Sequence, residues 1–254
     1  MSNDTVGKTV GVALALCIVC SVVVSTAAVM LKPAQVANKE VDFKRNILAA
    51  AGMLDPGKKV EDQFSAITTK LVDMESGTFT DLPGGPEAYD QRKASKDPAL
   101  STKLPANLDV AKIKRRANVA EIYVVEKEGK IETVILPIKG YGLWSTLYGF
   151  LALGPDLNTV VGLGFYEHAE TPGLGGEVDN PNWKALWVGK KAYTDEGKVG
   201  LTVVKGQAPA GSDHQVDGLS GATLTSKGVD NLIHFWLSEQ GYAKFLSNLK
   251  NGEA

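Results

Sequence analysis

The sequence predicts a mixed α+β domain behind one N-terminal transmembrane helix. Three observations predict it: an uncharged apolar run near the N-terminus, strand-like segments gathered mid-chain, and helical patterns on either side of them. A chain of 254 residues has room for such an anchor and one sizeable core. Hydrophobic residues make up 44% and charged ones 22%, ordinary for a globular protein. A net charge of -2 with no basic stripe argues against nucleic-acid binding. The expected organisation is a short tail (1–8), a transmembrane helix (9–31) and a soluble domain (32–254). Within that domain lie a helical part (36–75), a surface excursion (76–109) and a core (110–254).

From Thr9 to Leu31 no charged residue occurs, and Lys8 and Lys32 bracket the run. As a helix it spans roughly 34 Å, against a hydrocarbon core of about 30 Å. Ser25-Thr26-Ala27 offers small residues for a signal peptidase, but signal-peptide apolar cores run only about 7–15 residues, so a retained helix is expected. Lys32, Lys39, Lys44 and Arg45 outnumber Lys8, and the positive-inside rule would keep the bulk of the chain in the cytoplasm. Cys17 and Cys20, the two cysteines of the chain, fall inside the run. Thiols among apolar residues are inert, so packing is their expected role; the alternative is a metal-ligand pair completed by other subunits. Leu16 and Val19 stand where a lipobox needs small residues.

After the anchor, Val36 to Leu54 reads as a helix stopping at Gly52, and a second helix is expected over about Val60 to Val72, beyond the Asp55-Pro56-Gly57 break. Ser76 to Asp109 lacks periodicity and is rich in Pro, Gly, Asp and Lys, which reads as a surface excursion. Ala120–Val125 and Lys130–Leu136 alternate as strands around a turn at Glu128-Gly129. Thr146–Leu153 and Thr159–Tyr166 supply further apolar strands, and Leu201–Lys205 another. A last helix is built on Tyr242, Phe245, Leu246 and Leu249.

Chemistry concentrates in Asp217-Gly218-Leu219-Ser220-Gly221-Ala222-Thr223-Leu224-Thr225. A helix follows, with Val229, Leu232, Ile233, Trp236 and Leu237 on one apolar face. A hydroxyl-rich turn at a helix N-terminus is suited to an anion, because free N–H groups and the positive end of the dipole point there. On spacing alone an ordinary Ser/Thr cap is the favoured reading. Two glycine-bearing segments stand out. Lys139–Ser145 sets Tyr141 and Trp144 beside glycines, either as ligand contacts or as core aromatics of a turn. His168–Gly175 is a polar turn ahead of a Pro-Gly bend. The histidines, at 168, 214 and 234, are not paired for metal binding. Neither a nucleotide phosphate loop nor a dinucleotide fingerprint occurs, and Ser220 lacks the first glycine of a hydrolase elbow.

Asp217 to Thr225 resembles the flavinylation motif of FMN-binding domains, D-G-x-S-G-A-T-x-T, at every specified position. The two glycine segments resemble that family's G-Y-G-L-W-S and E-T-P-G-L-G elements, which face the flavin. With the anchor and Asn46–Gly52, the resemblance covers nearly the whole chain and is to C subunits of Na+-translocating NADH:quinone oxidoreductases. It implies FMN joined covalently to Thr225 by a phosphoester. Asp217, Ser220, Gly221, Ala222, Thr223 and Leu224 would surround the attachment, with Tyr141, Gly142, Trp144, Glu170, Thr171 and Leu174 as flavin contacts. Spacing alone does not choose among Ser220, Thr223, Thr225 and Ser226. Asp217 would shape the turn or meet the flavin transferase that attaches FMN from FAD with Mg2+, since no base in the motif is placed to activate a hydroxyl.

The implied role is a single-electron relay in the bacterial inner membrane, with the soluble domain on the periplasmic side against the charge count. Electrons would come from an iron centre held by the D and E subunits in the membrane and go to the flavin of the B subunit. The chain alone would be inactive toward NADH and would bind no Na+, as no carboxylates cluster in the membrane segment. The alternatives are the G subunit of the related ferredoxin:NAD+ oxidoreductase complex and a flavin-free anchored scaffold.

Overall fold

The computed structural model describes residues 5–254, so the first four residues of the expected tail lie outside the described residues. The chain forms two compact units, one ending at Phe43 and the other running Lys44–Ala254. Helix α1 (Val6–Ala50) is 45 residues long. An 18-residue window within it reaches a mean hydropathy of 2.6 with none of its residues buried, so it is long and apolar enough to cross a membrane. The separate helices expected at 9–31 and from Val36 are one, running through Pro33 without a break. A proline removes one backbone hydrogen bond, and Leu31, Lys32, Ala34 and Gln35 around it are strong helix formers. The helix stops through a glycine cap. Gly52 has φ 68°, its N–H donates to Ala49 C=O at 3.1 Å, and Met53 N–H donates to Leu48 C=O at 2.8 Å.

The second unit begins with α2 (Val60–Phe64), β1 (Ile67–Asp73), β2 (Thr78–Thr80), a 3-10 turn (Pro86–Ala88), α3 (Gln91–Ala94), β3 (Ser101–Lys103) and β4 (Arg115–Ala117). Then come β5 (Val119–Lys127), β6 (Lys130–Tyr141), β7 (Thr146–Leu153) and β8 (Val160–Glu167). A 3-10 turn (Gly175–Asp179), α4 (Pro181–Ala185), β9 (Thr202–Val203), β10 (Gln215–Val216), α5 (Thr223–Leu237) and α6 (Ala243–Asn251) complete it. The main sheet runs β2-β1-β5-β6-β7-β8, antiparallel throughout.

Two further expectations need correction, the helix to Val72 and the strand at 201–205. The helical reading of 36–75 fails after Phe64. The β-branched run Ile67-Thr68-Thr69 opens β1, which pairs with β5 from Ile67↔Val125 to Asp73↔Val119. The 76–109 segment is anchored to the sheet. Tyr89 Oη–H donates to Val119 C=O at 2.7 Å, and Arg92 meets both carboxylate oxygens of Glu167 at 2.7 and 2.9 Å while lying 3.9 Å over the Tyr148 ring. The strand expected at 201–205 shrinks to Thr202–Val203, paired in parallel with β10.

Hairpin β5–β6 turns at Glu128-Gly129 with φ of 52° and 74°, the left-handed pair that a two-residue hairpin loop requires. One face of the sheet, through Ile122, Val134, Leu136, Ile138, Leu147 and Leu151, shares a core with Val229, Leu232, Ile233 and Trp236 of α5. Trp236 Nε1–H donates to Lys139 C=O and Tyr242 Oη–H to Pro137 C=O, at 2.7 and 2.8 Å. Tyr123 forms edge contacts with Phe64 and Phe150, and Phe150 stacks on Tyr166.

Candidate functional site

Strand β6 ends at Tyr141 and β7 begins at Thr146, and the turn between them is closed by Gly142 N–H donating to Ser145 C=O at 2.8 Å. Helix α5 lies directly on this end of the sheet. A Cβ on Gly228 would stand 2.5 Å from Tyr141 O and 2.8 Å from Gly142 Cα, and one on Gly140 would stand 2.4 Å from Leu232 Cβ. Glycine at both positions permits the approach.

The motif leading into α5 is held by hydrogen bonds from neighbouring segments and within its own turn. Asp217 Oδ1 accepts from Ala208 N–H at 2.8 Å, and its carbonyl accepts from Trp183 Nε1–H at 2.8 Å. Asp217 therefore shapes the turn. Gly221 has φ 72°. The residue at the N-cap position is Ala222, without a side-chain cap. Ser226 Oγ instead accepts from Leu219 N–H at 2.8 Å and donates to Ala222 C=O at 3.1 Å. Ser220, Thr223 and Leu224 are exposed.

Thr225, in the first turn of α5, is 0% exposed, and its hydroxyl donates to Glu170 Oε2 at 2.7 Å. Glu170 is itself 5% exposed. Its Oε1 accepts from the N–H groups of Leu143, Trp144 and Ser145 at 3.1, 3.0 and 3.2 Å, and Leu143 N–H also reaches Oε2 at 3.3 Å. Burial pushes this carboxyl pKa up, but the Thr225 hydroxyl and the three N–H groups outweigh it and hold the pKa below the ordinary glutamate value. Glycines make the room: a Cβ on Gly142 would stand 2.6 Å from Oε1, and one on Gly175 would stand 2.8 Å from Oε2 and 2.5 Å from Thr225 Oγ1. Ser145 Oγ accepts from Ala169 N–H at 2.7 Å, joining the two loops again.

Apolar side chains surround this polar knot at the surface. Trp144 is 66% exposed, Leu224 61%, Leu174 45% and Tyr141 41%, so neither aromatic belongs to the core. A Cβ on Gly221 would lie 3.1 Å from Leu174 Cδ2, placing that leucine over the motif. Thr171 lies exposed at the start of the bend, and its carbonyl accepts from Leu174 N–H and Gly176 N–H. The fold thus brings Gly142, Trp144, Glu170, Leu174, Gly221 and Thr225 together. Sequence reasoning missed the Leu143 and Ser145 N–H groups, Gly175, and the pairing of Glu170 with Thr225. The acceptor for the Thr225 hydroxyl comes in space from another segment, outside the motif. Among the described residues no cluster of three or more His, Cys, Asp or Glu side chains could hold a metal.

The family model for the FMN-binding domain matches residues 142–238, a span that starts one residue after Tyr141 and includes Glu170 and Thr225. The chain is 57% identical to the C subunit of the Na(+)-translocating NADH-quinone reductase of Pseudomonas aeruginosa, covering 100% of this chain and 99% of that one. It is 51% identical to the corresponding protein of Vibrio vulnificus, covering 99% and 98%. Among solved structures, Shewanella oneidensis NqrC superposes with a TM-score of 0.78 at 37% identity, over 85% of this chain and 99% of that one. The C subunit of the same reductase from Parabacteroides distasonis gives 0.66 at 30% identity, over 85% and 97%. With identity above one half across its whole length and the same domain in the same frame, the chain belongs to the family of C subunits of Na(+)-translocating NADH-quinone reductases.

Proposed function

We propose that the chain is a membrane-anchored redox component of a Na+-pumping NADH:quinone reductase, carrying FMN esterified through its phosphate to Thr225. Helix α1 is the anchor, and the domain faces the periplasm. The other subunits of the complex are its partners, B as electron acceptor and the iron-binding D and E as donors. Bound FMN supplies reversible electron transfer, and the chain's own task is to hold and orient it.

The residues fit that group. The carrying observation is the setting of Thr225: of the motif hydroxyls it is the one bonded to an anion held on three backbone N–H groups. Ser226 is engaged with its own turn, and Ser220 and Thr223 face solvent. The exposed Trp144, Leu174, Leu224 and Tyr141 offer apolar surface to a planar ring. Attachment through the phosphate leaves the ring unaltered, so neighbouring hydrogen bonds and dielectric tune its potential.

Intact mass and peptide mapping of the purified chain test the reading. Thr225→Ala should give a folded protein lighter by one FMN, whereas Thr223→Ala and Ser220→Ala keep it. A flavin mapped to Thr223 or Ser220 in the wild type refutes the assignment.

A further inference from the structure

Glu170 is an anion in a place built for one. Four N–H···O contacts of 3.0–3.3 Å from the 143–145 turn converge on its carboxylate. Gly142 and Gly175 flank the carboxylate so closely that a Cβ on either would overlap it. Consecutive N–H groups converging in this way form a backbone anion cradle. Oε2 lies 2.7 Å from Thr225 Oγ1, close to the spacing of two oxygens on one phosphorus. A phosphorus bonded to Oγ1 would therefore carry its free oxygens into the space that the carboxylate fills. Esterification also removes the hydroxyl proton that Glu170 accepts, and two anions cannot share so small a buried site without a large cost.

We propose that the N–H groups of Leu143, Trp144 and Ser145 are the binding site for the phosphate carried on Thr225. In the unmodified chain Glu170 is a stand-in anion, displaced from that cradle when the ester forms. This rests on Thr225 being the attachment residue. The cradle is never empty: it holds a carboxylate before modification and a phosphodiester after it. Displacement takes Glu170 outward with Thr171–Leu174, which are already exposed and bend at Gly173, φ 74°. Exit of the carboxylate also uncovers the otherwise buried Thr225.

The test is hydrogen–deuterium exchange of the detergent-solubilised full chain, read by mass on peptides covering 141–147 and 168–176. Unmodified chain is expressed without flavin transferase and modified chain with it, and attachment is mapped separately by peptide mass. Modification should leave 141–147 as protected as before and speed exchange in 168–176 at least tenfold. Glu170→Ala should lose protection in 141–147 when unmodified, by tenfold or more, and regain it when modified. Glu170→Gln, which keeps the side-chain shape and a carbonyl oxygen for the N–H groups, should stay protected in both forms. Loss of protection in 141–147 on modification, or unchanged exchange in 168–176, overturns the proposal even when the flavin maps to Thr225. A flavin mapped elsewhere overturns the attachment reading itself, and this inference with it.

Discussion

Gly228→Ala in α5 isolates the contact on which the site depends. Helix propensity alone predicts a gain, because alanine is favoured over glycine in a helix interior by about 1 kcal/mol. The structure predicts the opposite sign. The added Cβ would stand 2.5 Å from Tyr141 O and 2.8 Å from Gly142 Cα, where ordinary contact begins at 3.4 Å. Both partners are backbone, so no side chain can swing aside. The helix must retreat by about 1 Å, and overpacking of this kind costs about 1–3 kcal/mol. With two backbone atoms closer than 3.0 Å to the added Cβ, the upper half of that range, about 2–3 kcal/mol, applies, and the net loss is about 1–2 kcal/mol. At about 2–4 °C per kcal/mol for a domain this size, Tm should fall by about 2–8 °C. Thermal unfolding of the solubilised chain followed by circular dichroism measures it. Retreat also carries Thr225 away from the 143–145 turn, so the fraction of chain bearing flavin in intact mass should fall as well. An unchanged or raised Tm would refute the reasoning that α5 is seated on bare backbone.

Trp144→Ala should retain covalent FMN yet shift its visible spectrum or reduction potential. Because the side chain is exposed, stability should change by less than about 0.5 kcal/mol, and an unaltered spectrum and potential would remove Trp144 from the flavin site. Glu170 also predicts a pH dependence. Its folded pKa lies below the unfolded value, so its stabilisation of the unmodified chain is present above about pH 4.3 and lost as the pH falls through the lowered folded value. Unmodified wild type should therefore exceed unmodified Glu170→Gln by about 1.5–3 kcal/mol in urea unfolding at neutral pH, with the two converging in acid. A gap that persists unchanged to about pH 3, below the ordinary glutamate pKa, would show that the charge contributes nothing. The isolated, flavin-loaded chain should not oxidise NADH, and steady turnover in a spectrophotometric assay would contradict its assignment as a relay.

Much of this fold was legible where a local rule sufficed. The α5 face from Val229 to Leu237 and the hairpin turn at Glu128-Gly129 follow from periodicity and turn chemistry. The misreading of Ile67–Val72 as helix shows the limit, since β5 recruits that segment from far along the chain and pairing overrides the local pattern. The charge at Lys32 misled in the other direction, closing the apolar run at Leu31 with a new helix from Val36 where α1 continues unbroken. At the site, the motif and both glycine segments stood out as side-chain patterns. The convergence of Leu143, Trp144 and Ser145 on one carboxylate did not, because backbone N–H groups carry no residue signature and Glu170 lies 55 residues from Thr225.

That same separation orders events in folding. The β5–β6 and β7–β8 pairings join immediate neighbours in the chain and close short loops, which form fast. The bond between Glu170 and Thr225 must close a loop of 55 residues, and it depends on α5 being docked. The β5–β8 part of the sheet therefore exists before the site does. Contacts absent from the folding transition state govern how quickly a protein falls apart rather than how quickly it assembles. Lesions at Glu170 should accordingly raise the unfolding limb of a chevron while leaving the refolding limb almost where it was.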